Sequence, residues 1–209
     1  YHGIQIDDFI CGEALSANNH VIWIDVNSPE MIEGTSRVNE GEVNVISHIL
    51  KKFSESESFK QYCAKWADED DKEIGIISFY SKQRNKIRRM CKSFNDLPLK
   101  IDVVDRFQGM ERNIIIVSMV RSNTIISDSQ QQPDYSEYEL GFPEQHDLGF
   151  AQSPNRLNVA LSRSKRLLII IGNSELFRQK SIYDNVYNII KANPNGKIIK
   201  CNPYEDICK

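Results

Sequence analysis

The sequence lacks the features that mark several large classes of protein. Its five cysteines form no C-x-x-C pair and its four histidines lie far apart, which argues against a metal site and favours reduced, mostly buried thiols. It has no run of 18 apolar residues and no charged-then-apolar leader, so it predicts neither a membrane span nor a secretory signal. We therefore expect a soluble intracellular protein, cytoplasmic or nuclear.

A strong excess of charge of one sign is also missing. With a formal net charge of −3, the composition does not mark a nucleic-acid binder, and any such surface must be local. The 209 residues, 40% of them hydrophobic, suffice for one core and fit a single domain or one domain with a small appendage. Tyr1 stands where Met would begin a complete protein, which indicates a piece of a longer chain.

Apolar strands alternate with amphipathic helices along the chain. The patterns predict strands at 21–26, 74–80, 101–105, 113–120, 167–172 and 197–201, and helices at 40–53, 81–94, 154–164 and 182–192. Several strands are apolar throughout, which is typical of a mainly parallel sheet with helices on both faces, an α/β fold. Ligands gather at the carboxyl ends of such strands, so we expect a site where polar motifs follow 74–78 and 101–104.

Local signals define two helix starts and one loop. Asn39, with Glu42 three residues later, is typical of a helix N-cap, and Ser153 before Pro154 is typical of another. The run DEDDKE at 68–73 predicts a solvated loop.

A basic segment, KQRNKIRRMCK at 82–92, contains six basic residues and no acid. A solvated helix face is the simplest explanation for most of them. Arg84 differs because it lies beside the inward apolar stripe, at the mouth of the strand–helix turn. That position suits an arginine that reaches into a cleft.

A second polar motif, VVDRFQGMERNIII at 103–116, connects two predicted strands. A glycine between strands is usually only a turn. Here the turn also carries Asp105, Arg106, Gln108 and Glu111, which could bind a ribose, a backbone phosphate or a neighbouring arginine.

The third motif, RLNVALSRSKRLLIIIGN at 156–173, places basic residues where a predicted helix gives way to an apolar strand. Arg156 and Arg163 are seven residues apart, so the pattern predicts that they share one helix face. A structural ion pair would explain one of them. Two together favour an anion, because the guanidinium fork donates two hydrogen bonds to a phosphate.

These motifs resemble those of a known family. VDRFQGMERNIIIVSMVRS followed by GFAQSPNRLNVALSRSKRLLIIIGN resembles motifs V and VI of superfamily 1 helicases, in the branch of the nonsense-mediated-decay RNA helicase and its DNA-unwinding relatives. FYSKQRNKI resembles motif IV, and EGTSRVNEGEVNVI resembles the segment before it. The likeness runs from about residue 21 to about residue 180. It implies one RecA-like, P-loop NTPase-type domain over 1–209, the second domain of the motor, with 1–20 as a partly irregular lead-in.

The resemblance implies a nucleotide site. Arg84 matches the motif IV arginine and Arg163 the motif VI arginine, both of which contact the γ-phosphate of ATP, so both are expected to be catalytic. Glu111 matches the motif V acid that contacts the ribose, and Gly109 matches the glycine of the same loop. Arg163 is therefore expected to be an arginine finger.

The resemblance also implies a coupling role for three residues. Asp105 and Gln108 belong to motif V, which couples nucleic acid to nucleotide, and Arg156 matches the arginine that opens motif VI. The sequence departs from the family at Phe79, where proline is common, and at Arg106, where a small residue is common.

Two parts of a complete motor are missing from this sequence. There is no G-x-x-x-x-G-K-S/T loop to hold phosphates and no evident Asp-Glu pair at a strand end for magnesium. The resemblance implies that the site lies between two RecA-like domains, of which this chain supplies one wall. Mg²⁺ would be held mainly by the missing N-terminal domain, and this chain alone is expected to be inactive.

The stretch 122–149, between motifs V and VI, has six acids and no Lys or Arg. Its Tyr135, Tyr138 and Phe142 could stack on bases, but the carboxylates argue against close phosphate contact. We expect a variable surface insertion.

Three functions are compatible with these patterns to different degrees. The leading one is the C-terminal motor domain of an ATP-dependent helicase that acts on single-stranded DNA or RNA. The alternative is a degenerate half-motor that acts as a non-enzymatic nucleic-acid-binding or regulatory module. A metal nuclease is disfavoured because no clustered carboxylates with a following lysine stand out as a nuclease site, and the run at 68–73 predicts a solvated loop. The sequence does not distinguish DNA from RNA.

Overall fold

The structure, a computed structural model, describes residues 15, 18–66, 74–123, 125–127 and 148–204. The predicted loop at 68–73 and the aromatic residues Tyr135, Tyr138 and Phe142 lie outside these ranges. In the described part of the chain, no helix has the length and apolar character needed to cross a bilayer.

The described chain contains nine strands and six helices. The strands are β1 (Val21–Val26), β2 (Glu30–Glu33), β3 (Ser36–Val38), β4 (Ile74–Ser78), β5 (Leu99–Val103), β6 (Arg112–Ser118), β7 (Ile125–Ser127), β8 (Ser164–Gly172) and β9 (Gly196–Cys201). The helices are α1 (Glu40–Glu55), α2 (Glu57–Trp66), α3 (Ser81–Met90), α4 (Pro154–Leu161), α5 (Ser174–Phe177) and α6 (Ser181–Ala192). Short 3-10 turns cover Cys91–Ser93, Val104–Phe107 and Gly149–Gln152.

Six of the strands form one sheet in the order β5-β4-β6-β8-β1-β9, and each neighbouring pair is parallel. This confirms the prediction of a RecA-like α/β fold built on a mainly parallel sheet. A second, three-stranded sheet has the order β3-β2-β7, in which β2 pairs antiparallel with β3 and parallel with β7.

The sheet has a hydrophobic core on each face because its strands are apolar on both sides. Along β6, Ile114 and Ile116 pack into one core, whereas Ile115 and Val117 pack into the other. Helices α1, α2 and α3 cover the first face, and α4, α5 and α6 contribute to the second. The central strands are therefore buried on both faces, which explains their uninterrupted apolar runs.

Several predicted boundaries differ from the structure. Helix α4 ends at Leu161 rather than 164, and β8 starts at Ser164 rather than 167, because Ser164 pairs with Arg112 of β6 although it is polar. Residues 104–105 belong to a 3-10 turn instead of a strand. The small second sheet and helix α2 were missed, since β2 and β3 are short and polar.

Candidate functional site

A cavity of about 590 Å³ opens beside the first residues of β6 and β8. Its lining consists of Gly109, Met110, Glu111, Arg112, Arg163 and Lys165. It therefore joins the loop before β6 to the turn before β8, two segments that are about fifty residues apart in sequence.

Gly109 shapes one wall of the cavity. Its φ is +80°, a left-handed conformation that glycine adopts without the strain a Cβ would impose. The 3-10 turn Val104–Phe107 carries the chain away from the end of β5, and the Met110 N–H closes this turn on the Phe107 carbonyl at 3.0 Å. Glu111 follows with an exposed side chain, so its carboxylate is available to a ligand.

Arg163 forms the opposite wall, in the turn between α4 and β8. Its Nε donates to the Val159 carbonyl at 3.2 Å and its Nη2 donates to the Ser162 hydroxyl at 2.7 Å. Within the described ranges it makes no ion pair with a carboxylate. A half-buried guanidinium that is not held in an ion pair is suited to an anion that enters the cavity.

The location of this cavity corrects two predictions. Gly109 and Glu111 lie at the amino end of β6, whereas a site was expected at the carboxyl ends of the strands. The reason is that residues 104–111 run from the carboxyl end of β5 back to the amino end of β6. Arg156 and Arg163 do not share a helix face, since α4 ends at Leu161 before Arg163 is reached.

Arg156 instead forms a bidentate ion pair with Asp105. Its Nε lies 3.0 Å from Oδ1 of Asp105 and its Nη2 lies 3.1 Å from Oδ2. The same guanidinium stacks 5.0 Å from the ring centre of Phe150, whose side chain is 50% exposed. This ion pair links the 3-10 turn after β5 to helix α4, whose predicted N-cap is confirmed because the Ser153 hydroxyl accepts from the Arg156 N–H. Gln108 lies exposed in the turn between Asp105 and the cavity.

Arg84 is not among the residues that line the cavity. It lies in α3, where its Nη1 is 3.2 Å from Oδ1 of Asp102, and Arg88 binds Oδ2 of the same carboxylate at 3.2 Å. Burial raises the pKa of Asp102, but the Val103 N–H and both guanidinium groups outweigh it, so this pKa lies below its ordinary value. Asp102 therefore stays ionised and holds Arg84 against β5.

A buried polar network at the other end of β6 was missed from the sequence. The carboxylate of Glu42 is fully buried, accepts from the Ser118 hydroxyl at 2.6 Å and accepts from the Val120 N–H at 2.8 Å. Burial raises the pKa of Glu42 to about 8. The signal was the position of Glu42 on the apolar stripe of α1, four residues before Ile46 and seven before Ile49.

The predicted cap of α1 is confirmed at Asn39, whose side chain accepts from the Glu42 N–H at 3.1 Å. The reciprocal contact of a capping box does not form. The Asn39 N–H donates to Gln83 of α3 instead, at 2.9 Å, and Gln83 also donates to Ser118 at 3.0 Å. The network thus joins α1 and α3 to the end of β6, and it holds Val120 at a φ of +73° that a β-branched residue rarely adopts.

A buried ion pair extends this network. Glu30 of β2 binds Arg121 at 2.8 Å, Arg37 of β3 at 2.9 Å and the Ser122 N–H at 2.9 Å. Glu30 and Arg121 are almost fully buried, so each charge depends on the other. These contacts fix the segment after β6 to the small sheet.

The cavity and the buried network differ in whether their charged groups are free to bind a ligand. Three cations and one carboxylate line the cavity, which gives it a net formal charge of +2, and it is open to ligands. Phosphate oxygens match the cations, and a sugar hydroxyl matches the exposed carboxylate. The network is closed, and its carboxylates are already bound. No group of three or more His, Cys, Asp or Glu in the described ranges has the arrangement of a metal site.

Comparison with known proteins extends these observations. A family model described as an AAA domain matches residues 9–175. The chain is 40% identical to MOV-10 of Gallus gallus over 144 residues, 65% of this chain and 13% of that protein. It is 33% identical to Regulator of nonsense transcripts 1 of Dictyostelium discoideum over 164 residues, 76% of this chain and 10% of that protein.

A third relative is DNA polymerase alpha-associated DNA helicase A of Saccharomyces cerevisiae. The identity is 29% over 170 residues, which is 76% of this chain and 20% of that protein. The chain therefore spans a fifth or less of the length of these relatives.

Proposed function

The chain belongs to the AAA-domain family of superfamily 1 helicases, in the nonsense-mediated-decay branch, and we propose that it is the C-terminal motor domain of an ATP-dependent helicase. In this proposal residues 1–209 form one RecA-like domain, with 122–149 as an insertion. The observation that carries it is the meeting of Gly109, Glu111 and Arg163 in one cationic cavity.

Arg163 is the proposed arginine finger. The transferring phosphoryl group spreads negative charge over its oxygens in the transition state, and a guanidinium placed there is worth roughly 10³–10⁵ in rate. The absence of a carboxylate partner among the described residues supports this role, because Arg163 has no ion pair to break before it binds the phosphate. Glu111 would accept from the ribose hydroxyls, and Gly109 leaves room for the nucleotide.

Arg84 is the proposed second arginine at the γ-phosphate. In this structure Asp102 holds it, so the role requires Arg84 to release that carboxylate when the two motor domains close on ATP. The exchange of one anion for another is chemically balanced, because a phosphate oxygen replaces the carboxylate oxygen.

Asp105, Gln108 and Arg156 are the proposed coupling residues. The ion pair of Asp105 with Arg156 links the motif V turn to α4, and α4 leads directly to Arg163. A nucleic-acid strand bound at this turn would therefore act on the position of the arginine finger.

The cofactor of the proposed activity is ATP with Mg²⁺. The ion would neutralise phosphate charge when bound, and its ligands would come mainly from an N-terminal RecA-like domain of the same polypeptide. That domain and a single strand of DNA or RNA are the proposed partners. Because DNA and RNA are found inside the cell, we also propose that the protein acts there, in the cytoplasm or the nucleus.

Phosphate release by the 209-residue chain, compared with the full-length protein that contains it, tests the proposal. We expect no hydrolysis above background by the chain alone, and nucleic-acid-stimulated hydrolysis by the full-length protein. Steady release by the pure chain that Arg163→Ala abolishes would show a complete site here and overturn the shared-site proposal. A full-length protein that binds nucleic acid but does not hydrolyse ATP would instead support the degenerate half-motor.

A further inference from the structure

Two cations of the cavity, Arg112 and Lys165, have no role in the proposed function, and Lys165 is the more exposed of the two. Lys165 lines the cavity together with Arg163 and Glu111, but none of the family motifs assigns a role to it. It is the second residue of β8, and its side chain is exposed.

The backbone explains why Lys165 reaches the same cavity as Arg163. Ser164, between them, pairs with Arg112, and the Arg112 N–H donates to the Arg163 carbonyl at 2.9 Å. Arg163, in the turn before β8, and Lys165, the second residue of β8, both line the cavity. Their two positive charges therefore face the same space.

The charge balance favours a ligand for Lys165. Its side chain has no ion pair or hydrogen bond among the described residues, although Glu111 also lines the cavity. Lys86 shows the contrast, since it is held by both Glu33 and Glu40. Two like charges side by side repel each other unless an anion lies between them.

We propose that Lys165 binds the phosphates of ATP in the ground state, while Arg163 acts on the transferring phosphoryl group. This rests on the proposed function, because it assigns a second residue to the same nucleotide site. An ammonium is a compact charge on a flexible stem with three donors that rotate freely. It follows the phosphate equally well before and during transfer, so it contributes uniform binding and lowers KM without raising kcat.

Steady-state hydrolysis by the full-length protein, with ATP varied at saturating single-stranded RNA, separates the two roles. We expect Lys165→Ala to raise KM by about tenfold, the loss of one hydrogen bond to a charged group, with kcat within about twofold of wild type. Lys165→Arg keeps the charge and should restore most of the affinity. Binding of a non-hydrolysable ATP analogue should weaken by the same factor as KM rises.

Two variants complete the design. Lys200→Ala removes a matched exposed strand lysine on β9, away from the cavity, and should leave both constants unchanged. Lys165→Gln serves as a second neutral variant, with its melting temperature measured on the same sample. Because Lys165 is exposed, both neutral variants should melt like wild type.

The outcomes distinguish this inference from the proposed function. If Arg163→Ala keeps normal turnover, the proposed function fails, and the role of Lys165 fails with it. If Arg163→Ala is inactive while Lys165→Ala and Lys165→Gln keep the wild-type KM, the inference about Lys165 alone is wrong. Weaker RNA binding with a shallower salt dependence and an unchanged KM would place Lys165 on nucleic acid and equally overturn it.

Discussion

The two ends of strand β6 differ in how their polar groups are satisfied. At the amino end, Glu111, Arg163 and Lys165 surround an open cavity and leave charges without opposite partners in the described chain. At the carboxyl end, Glu42 and Ser118 are buried and bound to each other. Both ends are rich in polar residues, so polarity alone does not distinguish a ligand site from a structural one. The distinction lies in whether the donors and acceptors are already paired.

The largest effect should come from the open end. In the full-length protein, Arg163→Ala should lower turnover by roughly 10³-fold, with little change in nucleic-acid affinity, because the guanidinium acts on the transferring phosphoryl group. Arg163→Lys should recover little, since lysine keeps the charge but loses the planar fork. The check is to measure ATP turnover and affinity for a single strand of nucleic acid in both variants. Full recovery of turnover in Arg163→Lys would contradict a role that depends on the guanidinium fork.

Truncation at the closed end should affect stability instead. Glu42→Ala leaves the Ser118 hydroxyl and the Val120 N–H without their buried acceptor, which should reduce the free energy of unfolding by about 1–3 kcal/mol. Urea unfolding of the 209-residue chain measures it. Glu55→Ala is the control on the same helix, because its exposed ion pair with Lys51 should contribute less than about 1 kcal/mol. Equal losses in both variants would mean that the network adds nothing.

A smaller difference should appear when Glu42→Gln is compared with wild type across pH. The pKa of Glu42 is raised from 4.5 to about 8, so the folded state holds this proton more tightly than the unfolded state. Raising the pH from about 4.5 through about 8 should therefore remove stability from wild type relative to the variant. Unfolding midpoints of both proteins between pH 4.5 and about 8 test whether wild type loses stability relative to the variant as the pH rises. A wild type that gains stability over the variant with rising pH would contradict the assignment.

The smallest effect concerns nucleic acid. Binding of a single-stranded oligonucleotide by the 209-residue chain should be weak, and with only a few exposed cations it should fall roughly tenfold between 50 and 200 mM salt. Fluorescence anisotropy of a labelled oligonucleotide measures how the affinity changes with salt concentration. A tight complex that does not respond to salt would contradict binding by a few exposed cations.

The sequence predicted the main sheet and three of the six residues that line the cavity, because local patterns encode both. Uninterrupted apolar runs define β6 and β8, and the matched motifs single out Gly109, Glu111 and Arg163, which the fold then brings together. The structure does not test the roles assigned to those residues, which stay predictions.

The sequence did not predict contacts between distant segments. Glu42 meets Ser118 across 76 residues and Arg84 meets Asp102 across 18, and no local pattern indicates either partner. The position of the cavity was also missed, because residues 104–111 return from the carboxyl end of β5 to the amino end of β6 and carry the motif with them. The sequence allowed an ion pair for one of Arg156 and Arg163 and an arginine partner for Asp105, but no local pattern matched Arg156 with Asp105.

The most direct test of the central claim compares both ends of β6 in one assay. Turnover per folded molecule should be measured in the full-length protein for Arg163→Ala and Glu42→Gln, with the melting temperature of each sample. Our account predicts that Arg163→Ala melts normally and loses roughly 10³-fold in turnover, while Glu42→Gln keeps turnover within about twofold. Normal turnover of Arg163→Ala with a lowered melting temperature would contradict the account and assign Arg163 a structural role.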